Sequence, residues 1–252
     1  MTAPDGRAKD AFREPGPVVV LRAGAHARRV AWGRPWQTGT AAYWTALTAL
    51  DPISCAADPY RHRLGRTLAE ETAACVLGGF GQPYETGLAA YRAVREAGLL
   101  DGPPSAGRIR AVLLRPLPVA GATRRYRFPA QRAERLAGAL EFLRGQRPPD
   151  GARDIRDWLT GAPGIGPKTA SWIVRNHFGS DDVAVLDIHV VRAGAAAGVF
   201  DPSWTPAGHY RVLEGLFLAW AAAGGVSAAD LDAVIWREQA AAARAPRHAR
   251  SA

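Results

Sequence analysis

The segment between residues 158 and 175 constrains the fold more than any other part of the chain. It holds two stretches of helical periodicity joined by a short turn, Pro163-Gly164-Ile165-Gly166, and Pro167 stands where the second helix would begin. Two glycines around one aliphatic residue permit a tight turn that side chains would block. Ile165 can then lie between the two helices, so the segment predicts a helix-hairpin-helix unit at about 153–178.

The hairpin turn, residues 163–166, also predicts a binding surface. The free amides of Gly164, Gly166 and the first helical turn, which includes Thr169, would point outward. Such a group of donors at a helix start suits a phosphate, and it contacts the nucleic-acid backbone without distinguishing bases.

The rest of the chain is predicted to be nearly all helical. A short β ribbon, Pro17–Arg22 with Arg29–Trp32, precedes the helices, and Thr205 and Ser227 are predicted N-caps. Helices are predicted at about 38–50, 67–79, 83–98, 106–114, 129–144, 153–160, 167–178, 188–197, 206–222 and 228–243. The predicted fold class is mainly α with a minor β element near the N-terminus.

Composition limits the function classes. The net charge of +9 favours polyanions, with nucleic acid first, although a merely solubilising basic surface gives the same charge. Two cysteines, Cys55 and Cys75, exclude a four-thiolate cluster and are predicted to be reduced thiols.

We predict flexible ends at 1–16 and 244–252, and the sequence shows neither a signal peptide nor a membrane span.

The distribution of lysine is unusual. Only Lys9 and Lys168 are lysines, so 30 of the 32 basic residues are arginines. An ordinary basic role would fall to arginine here, whereas only a lysine amine can lose its proton and attack carbon. Lys168 opens the second helix of the hairpin, where the helix dipole disfavours an ammonium. We therefore predict that Lys168 is a nucleophile; the alternative is a phosphate contact.

A carboxylate follows the hairpin at Asp187, within Leu186-Asp187-Ile188-His189. One helix and a return separate it from Lys168, so the two side chains could meet across a cleft. The alternative is that Asp187 is only the N-cap of the next helix.

Pro163–Lys168 and Leu186–His189 together resemble the signature of the helix-hairpin-helix base-excision DNA glycosylases, clearly over 152–195 and by helix order over 38–243. The resemblance implies two helical lobes around a DNA-binding cleft, about 17–65 with 187–243 and about 66–186. It implies that Lys168 is the Schiff-base lysine, that Asp187 is the catalytic aspartate and that His189 faces DNA. Without cluster cysteines, the chain is most similar to the compact archaeal-type 8-oxoguanine enzymes.

The resemblance also implies a base-binding pocket. Trp172 follows Lys168 by four residues, and Asp232 and Trp236 are four apart on the last helix. The two tryptophans would sandwich a flipped purine, and Asp232 would accept from N1–H and the exocyclic amine of guanine. The alternative is two core tryptophans and a solvated carboxylate. The acceptor for N7–H of 8-oxoguanine stays open among Gln37, Gln82 and a main-chain carbonyl.

From these features we predict a bifunctional glycosylase and AP lyase that excises 8-oxoguanine without metal or organic cofactor. Its partner would be double-stranded DNA with an oxidised purine, and the protein would be a cytoplasmic, nucleoid-associated monomer. Two alternatives remain: a monofunctional glycosylase that uses water activated by Asp187, and a non-catalytic helix-hairpin-helix module that binds DNA.

Overall fold

The computed structural model describes residues 16–52, 54, 58–79 and 81–244. The flexible ends predicted at 1–16 and 244–252 lie outside these ranges, except for Gly16 and Arg244. Lys9 and Cys55 also lie outside the described residues. The strands in these ranges are β1 (Val18–Ala23), β2 (His26–Ala31), β3 (Leu117–Val119) and β4 (Ala122–Arg124). The helices are α1 (Ala41–Ala49), α2 (Leu68–Leu77), α3 (Tyr84–Glu96), α4 (Ala106–Leu113), α5 (Pro129–Leu143), α6 (Ala152–Leu159), α7 (Pro167–Phe178), α8 (Ile188–Ala196), α9 (Pro206–Ala223) and α10 (Ala228–Arg244).

The predicted fold class, mainly α with a small β element near the N-terminus, is confirmed. All ten predicted helices are present, and β1 pairs antiparallel with β2 as predicted. Two corrections concern local structure. The β3–β4 pair was not predicted, and α1 begins at Ala41 rather than at 38 because Thr40 caps it by accepting from the Tyr43 amide.

The chain divides into two compact units, one formed by residues up to 55 and from 186 onward, the other by residues 56–185. In the first unit, β1 packs on α9, while α1 and α8 pack on α10. Trp220 on α9 is fully buried, and its indole Nε1 donates to the carbonyl of Ala41 at 3.2 Å. Arg237 on α10 forms an ion pair with the buried Asp51.

The second unit has an aliphatic core to which α2 to α7 contribute. Helix α2 lies centrally and packs on α3, α5 and α7, while α6 packs on α7. Because α7 carries the hairpin lysine, this core holds the predicted nucleophile on a rigid element. Its largest fully buried side chains are Tyr91, Leu77, Ile109, Leu113, Leu117, Leu136 and Leu159.

A buried carboxylate ties three parts of the second unit together. Glu71 on α2 is fully buried, and its Oε2 accepts from the amides of Leu64 and Gly65, each at 2.8 Å. Its Oε1 accepts from Asn176 Nδ2 on α7 at 2.8 Å. Because a buried polar group costs free energy unless it is hydrogen-bonded, these bonds fix both the segment before α2 and the end of α7 to Glu71.

The C-terminal end of α7 carries a histidine that is held neutral. Arg63 Nη2 lies 3.0 Å from His177 Nδ1, and burial together with the positive charge of Arg63 lowers the pKa of His177 to about 4. The unfolded chain has the ordinary value of about 6.5, so between these two values the unfolded state binds a proton that the folded state does not. His177 therefore costs the folded state nothing above about pH 6.5, and the free energy of unfolding falls as the pH drops from 6.5 toward 4.

Between pH 7 and pH 5, we expect the free energy of unfolding of the wild type to fall by about 1 kcal/mol more than that of His177→Gln. This value allows for solvent screening of the partly exposed ring. Urea unfolding of both proteins at the two pH values measures the difference. An equal pH dependence in the two proteins would show that His177 is not responsible.

Within the described residues, no single helix is both long enough and apolar enough to cross a membrane. The bent pair of α9 with residues 228–242 of α10 meets these criteria only when the two helices are counted together.

Candidate active site

The hairpin turn joins α6 to α7 as the sequence predicts. Gly164 has a φ of +78°, a conformation that side-chain-bearing residues rarely adopt, and the Ile165 side chain is buried. Gly166 is the N-cap of α7 and its carbonyl accepts from the Ala170 amide at 2.9 Å. The backbone conformation of Gly164 and the buried side chain of Ile165 therefore both stabilise the turn.

Several backbone donors of this turn have no acceptor in the described part of the chain. These are the amides of Gly164, Gly166 and Thr169, three of the residues predicted to contact a DNA backbone. A Cβ added to Gly166 would meet nothing within 4 Å, and its φ of −95° suits any residue. No described neighbour therefore requires glycine at 166, whereas close approach of an external backbone would.

Helix α5 supports the turn from behind. A Cβ on Gly138 would lie 3.0 Å from Cβ and Cγ of Pro163, so the helix and the turn are in close contact. A Cβ on Gly164 would lie 2.5 Å from Cγ and 2.7 Å from Cδ of Arg135. The aliphatic stem of Arg135 therefore lies directly across the hairpin turn.

Lys168 is half-buried in the first turn of α7, and its Nζ lies 5.6 Å from the centre of the Trp172 ring. The two side chains share one face of the helix, as their spacing predicts. An amine held against an aromatic face is attracted to the ring while it is charged. Lys168 and Trp172 thus form one compact group beside the hairpin turn.

The glycines after α2, for which the sequence predicts no role in the site, form part of this group. A Cβ on Gly78 would lie 3.2 Å from Trp172 Cη2, and one on Gly79 would lie 3.5 Å from Lys168 Nζ. Gly79 also has a φ of +78°. Three glycines within Gly78–Gly81 were the available signal, because such a cluster often marks a close approach of the backbone.

Gln82 lies in the same loop. Its backbone amide donates to the Gly79 carbonyl at 3.1 Å, while its side-chain Oε1 and Nε2 are buried without a hydrogen-bond partner among the described residues. Because buried amides are nearly always paired, this side chain requires an explanation.

Asp187 belongs to the first unit and is the N-cap of α8. Its Oδ1 accepts from the amides of His189 and Val190 at 2.8 and 2.9 Å. Its Oδ2 accepts no hydrogen bond from the described residues. The capping interpretation is therefore correct, and one carboxylate oxygen remains for chemistry. His189 follows on the first turn of α8, half-buried.

The other predicted base contacts lie in the first unit. Asp232 and Trp236 are both on α10, which packs against α8, the helix that Asp187 caps. Asp232 is buried, so its interpretation as a solvated carboxylate is wrong, while Trp236 is half-buried. Gln37 directly precedes the helix predicted from about residue 38, but that helix begins later and Gln37 lies in a turn before α1. Its Oε1 accepts from the Arg34 amide at 2.8 Å.

Two further observations limit the chemistry. Among the described residues, no group of three or more histidine, cysteine, aspartate or glutamate side chains is arranged to hold a metal ion. Cys75 is a free thiol, and burial raises its pKa, which disfavours the reactive thiolate.

A sequence model of the helix-hairpin-helix 8-oxoguanine DNA glycosylases matches residues 70–223, more than half of the chain. The chain belongs to the 8-oxoguanine DNA glycosylase family. The family match includes the hairpin turn, Lys168 and Asp187. It ends before α10 and begins after Gln37, so the roles of Asp232, Trp236 and Gln37 rest on resemblance alone.

Solved structures of 8-oxoguanine DNA glycosylases share the fold. The Methanocaldococcus jannaschii enzyme is 22% identical to this chain, covers 69% of this chain and 78% of its own length, and gives a TM-score of 0.54. The glycosylase/lyase of the same organism, in complex with a 15-mer DNA containing 8-oxoguanine, is 20% identical. It covers 69% of this chain and 81% of its own length, also with a TM-score of 0.54. The Thermotoga maritima enzyme is 24% identical, with coverage of 68% of this chain and 78% of its own and a TM-score of 0.49. None of the curated proteins compared with the chain matches it.

Proposed function

We propose that this family member is a bifunctional glycosylase and AP lyase that removes 8-oxoguanine from double-stranded DNA. The observation that carries the proposal is the position of Lys168: a lysine amine in an arginine-rich chain, beside a hairpin turn with unused amides and against Trp172. The family match over these residues supports the removal of 8-oxoguanine, while the proposed lyase step rests on Lys168. The proposed partner is duplex DNA, on which the protein acts as a monomer at the cytoplasmic nucleoid.

In the proposed reaction, the neutral Lys168 amine forms a bond to C1′ while the bond between C1′ and the base nitrogen N9 breaks. The base leaves with the bonding electrons and takes up a proton. Opening of the sugar ring then gives a protonated imine between Lys168 and C1′. Loss of a proton from C2′ expels the 3′ phosphate, which nicks the strand, and water finally hydrolyses the imine. No metal or organic cofactor takes part in these steps.

The proposed role of Asp187 follows from its two oxygens. Because Oδ1 is held by two amides of α8, the carboxylate is fixed in position, and Oδ2 remains to face a developing positive charge. A carboxylate stabilises the positive charge that develops at C1′ as the base departs. It also serves as the acceptor for a proton of the lysine ammonium.

We propose that Trp172 and Trp236 stack on the flipped base and that Asp232 accepts from its N1–H and amine. Gln37 already uses Oε1 within its own turn, so its Nε2 is the atom that can donate to a base oxygen. Gln82, whose amide has no partner among the described residues, is the better candidate acceptor for N7–H. Gly164, Gly166, Thr169 and His189 are the proposed backbone contacts.

The test is a panel of duplexes that carry 8-oxoguanine, an oxidised pyrimidine, an alkylated purine, uracil or no lesion. We expect release of free 8-oxoguanine and a nick at the lesion without added alkali, with no product from the undamaged duplex. Base release without a nick would instead indicate the monofunctional alternative. Lesion-indifferent, salt-sensitive binding without any product would indicate the non-catalytic module.

A further inference from the structure

Arg135 on α5 is placed by the hairpin turn rather than by a partner charge. Its Cγ and Cδ occupy the space that a side chain at Gly164 would need, so the aliphatic stem lies on the turn. The guanidinium begins at the next atom, Nε. The position of the guanidinium is therefore set by a stem that lies on the turn.

The guanidinium of Arg135 is also uncommitted. In the described ranges it forms neither a hydrogen bond nor an ion pair, although the residue is half-buried. Arg132 stands one helical turn before it and donates to the Val76 carbonyl at 2.8 Å. Burial lowers the pKa of Arg132, and the charge of Arg135 lowers it further. An uncommitted guanidinium beside a second cation favours an external anion.

The hairpin turn supplies the second half of such a site. The amides of Gly164, Gly166 and Thr169 donate to no acceptor in the described part of the chain, and the space over Gly166 is open. Backbone amides at a helix start bind one face of a phosphate, and a planar guanidinium binds two oxygens of the same group.

We propose that Arg135 is a DNA-phosphate ligand that completes the phosphate site of the hairpin turn from α5. This inference rests on the proposed binding of DNA but not on catalysis. Arginine suits the role better than lysine because its fork contacts two phosphate oxygens at once. The contact would contribute affinity for any sequence and would not distinguish a lesion from a normal base.

The test uses Arg135→Met, which keeps an aliphatic stem against Gly164 and removes the charge. Binding to an undamaged duplex is measured by fluorescence anisotropy from low to moderate salt. We expect affinity to fall about tenfold and the slope of log K against log salt to decrease in magnitude by about 0.9, the value for one phosphate. Arg135→Lys should retain most of the slope and only part of the affinity.

Arg108→Met is the matched control, because Arg108 is exposed on α4 and its guanidinium has no hydrogen bond or ion pair within the described ranges. It should leave the slope unchanged, with equal thermal melting for all variants. If Arg135→Met and Arg108→Met change the slope equally, the phosphate role of Arg135 is wrong. Release of 8-oxoguanine by the wild type is scored separately, so failure of the proposed function is distinguished from failure of this contact.

Discussion

Lys168→Gln should give no covalent protein–DNA adduct when it is incubated with an 8-oxoguanine duplex and sodium borohydride, whereas the wild type should give one. Borohydride reduces the imine between lysine and C1′ to a stable amine, and a glutamine amide cannot form that imine. We expect base release to fall by about 10³-fold or more and duplex binding to be largely retained. Denaturing electrophoresis of labelled DNA measures the adduct.

The controls separate the nucleophile from a simple phosphate contact. Lys168→Arg keeps the positive charge but cannot attack carbon, so it should bind DNA and still fail to form an adduct. Lys9→Arg removes the second lysine of the chain and should trap like the wild type. Adduct formation that persists in both Lys168 variants would contradict the assigned nucleophile.

Asp187→Asn is expected to separate the structural and chemical roles of this residue. Asparagine caps helices about as well as aspartate, so the free energy of unfolding should change by less than about 1 kcal/mol. The rate of base release should nevertheless fall by about 10² to 10⁴, because the amide carries no charge to stabilise C1′ or to accept a proton. Single-turnover excision and urea unfolding provide the two measurements.

Asp187→Ala supplies the comparison. It removes the cap as well as the charge, so it should lose stability by about 0.5–2 kcal/mol and lose activity to the same extent as Asp187→Asn. If Asp187→Asn excises 8-oxoguanine at nearly the wild-type rate, Asp187 is only the N-cap of α8. The lyase mechanism would then rest on Lys168 alone.

Glu71 and Arg135 show that contacts between distant parts of the chain position the hairpin. Glu71 connects the segment before α2 to the end of α7, and Arg135 lies on the hairpin turn from α5. Both residues appear in the sequence as ordinary charges on amphipathic helices. Their roles depend on which helices pack together, which helical periodicity does not specify.

The sequence by itself determined the ten helices, the β1–β2 ribbon, the hairpin turn and the cap at Asp187. These features depend on interactions within a few residues: apolar periodicity, glycine conformation, proline at helix starts and side-chain capping. Lys168 and Trp172 share a face for the same reason, since four residues make about one helical turn. Such local rules apply wherever the segment lies in the fold.

Only the tertiary structure decided the surroundings of these features. The β3–β4 pair escaped prediction because three-residue strands carry too little alternation to be recognised. Gln37 lies in a turn because the Arg34 amide and Thr40 compete with the helix for its polar groups. The Gly78–Gly79 approach to Trp172 and Lys168, and the Arg135 stem on Gly164, arise only when separate helices pack, because residues far apart in the chain then share one surface.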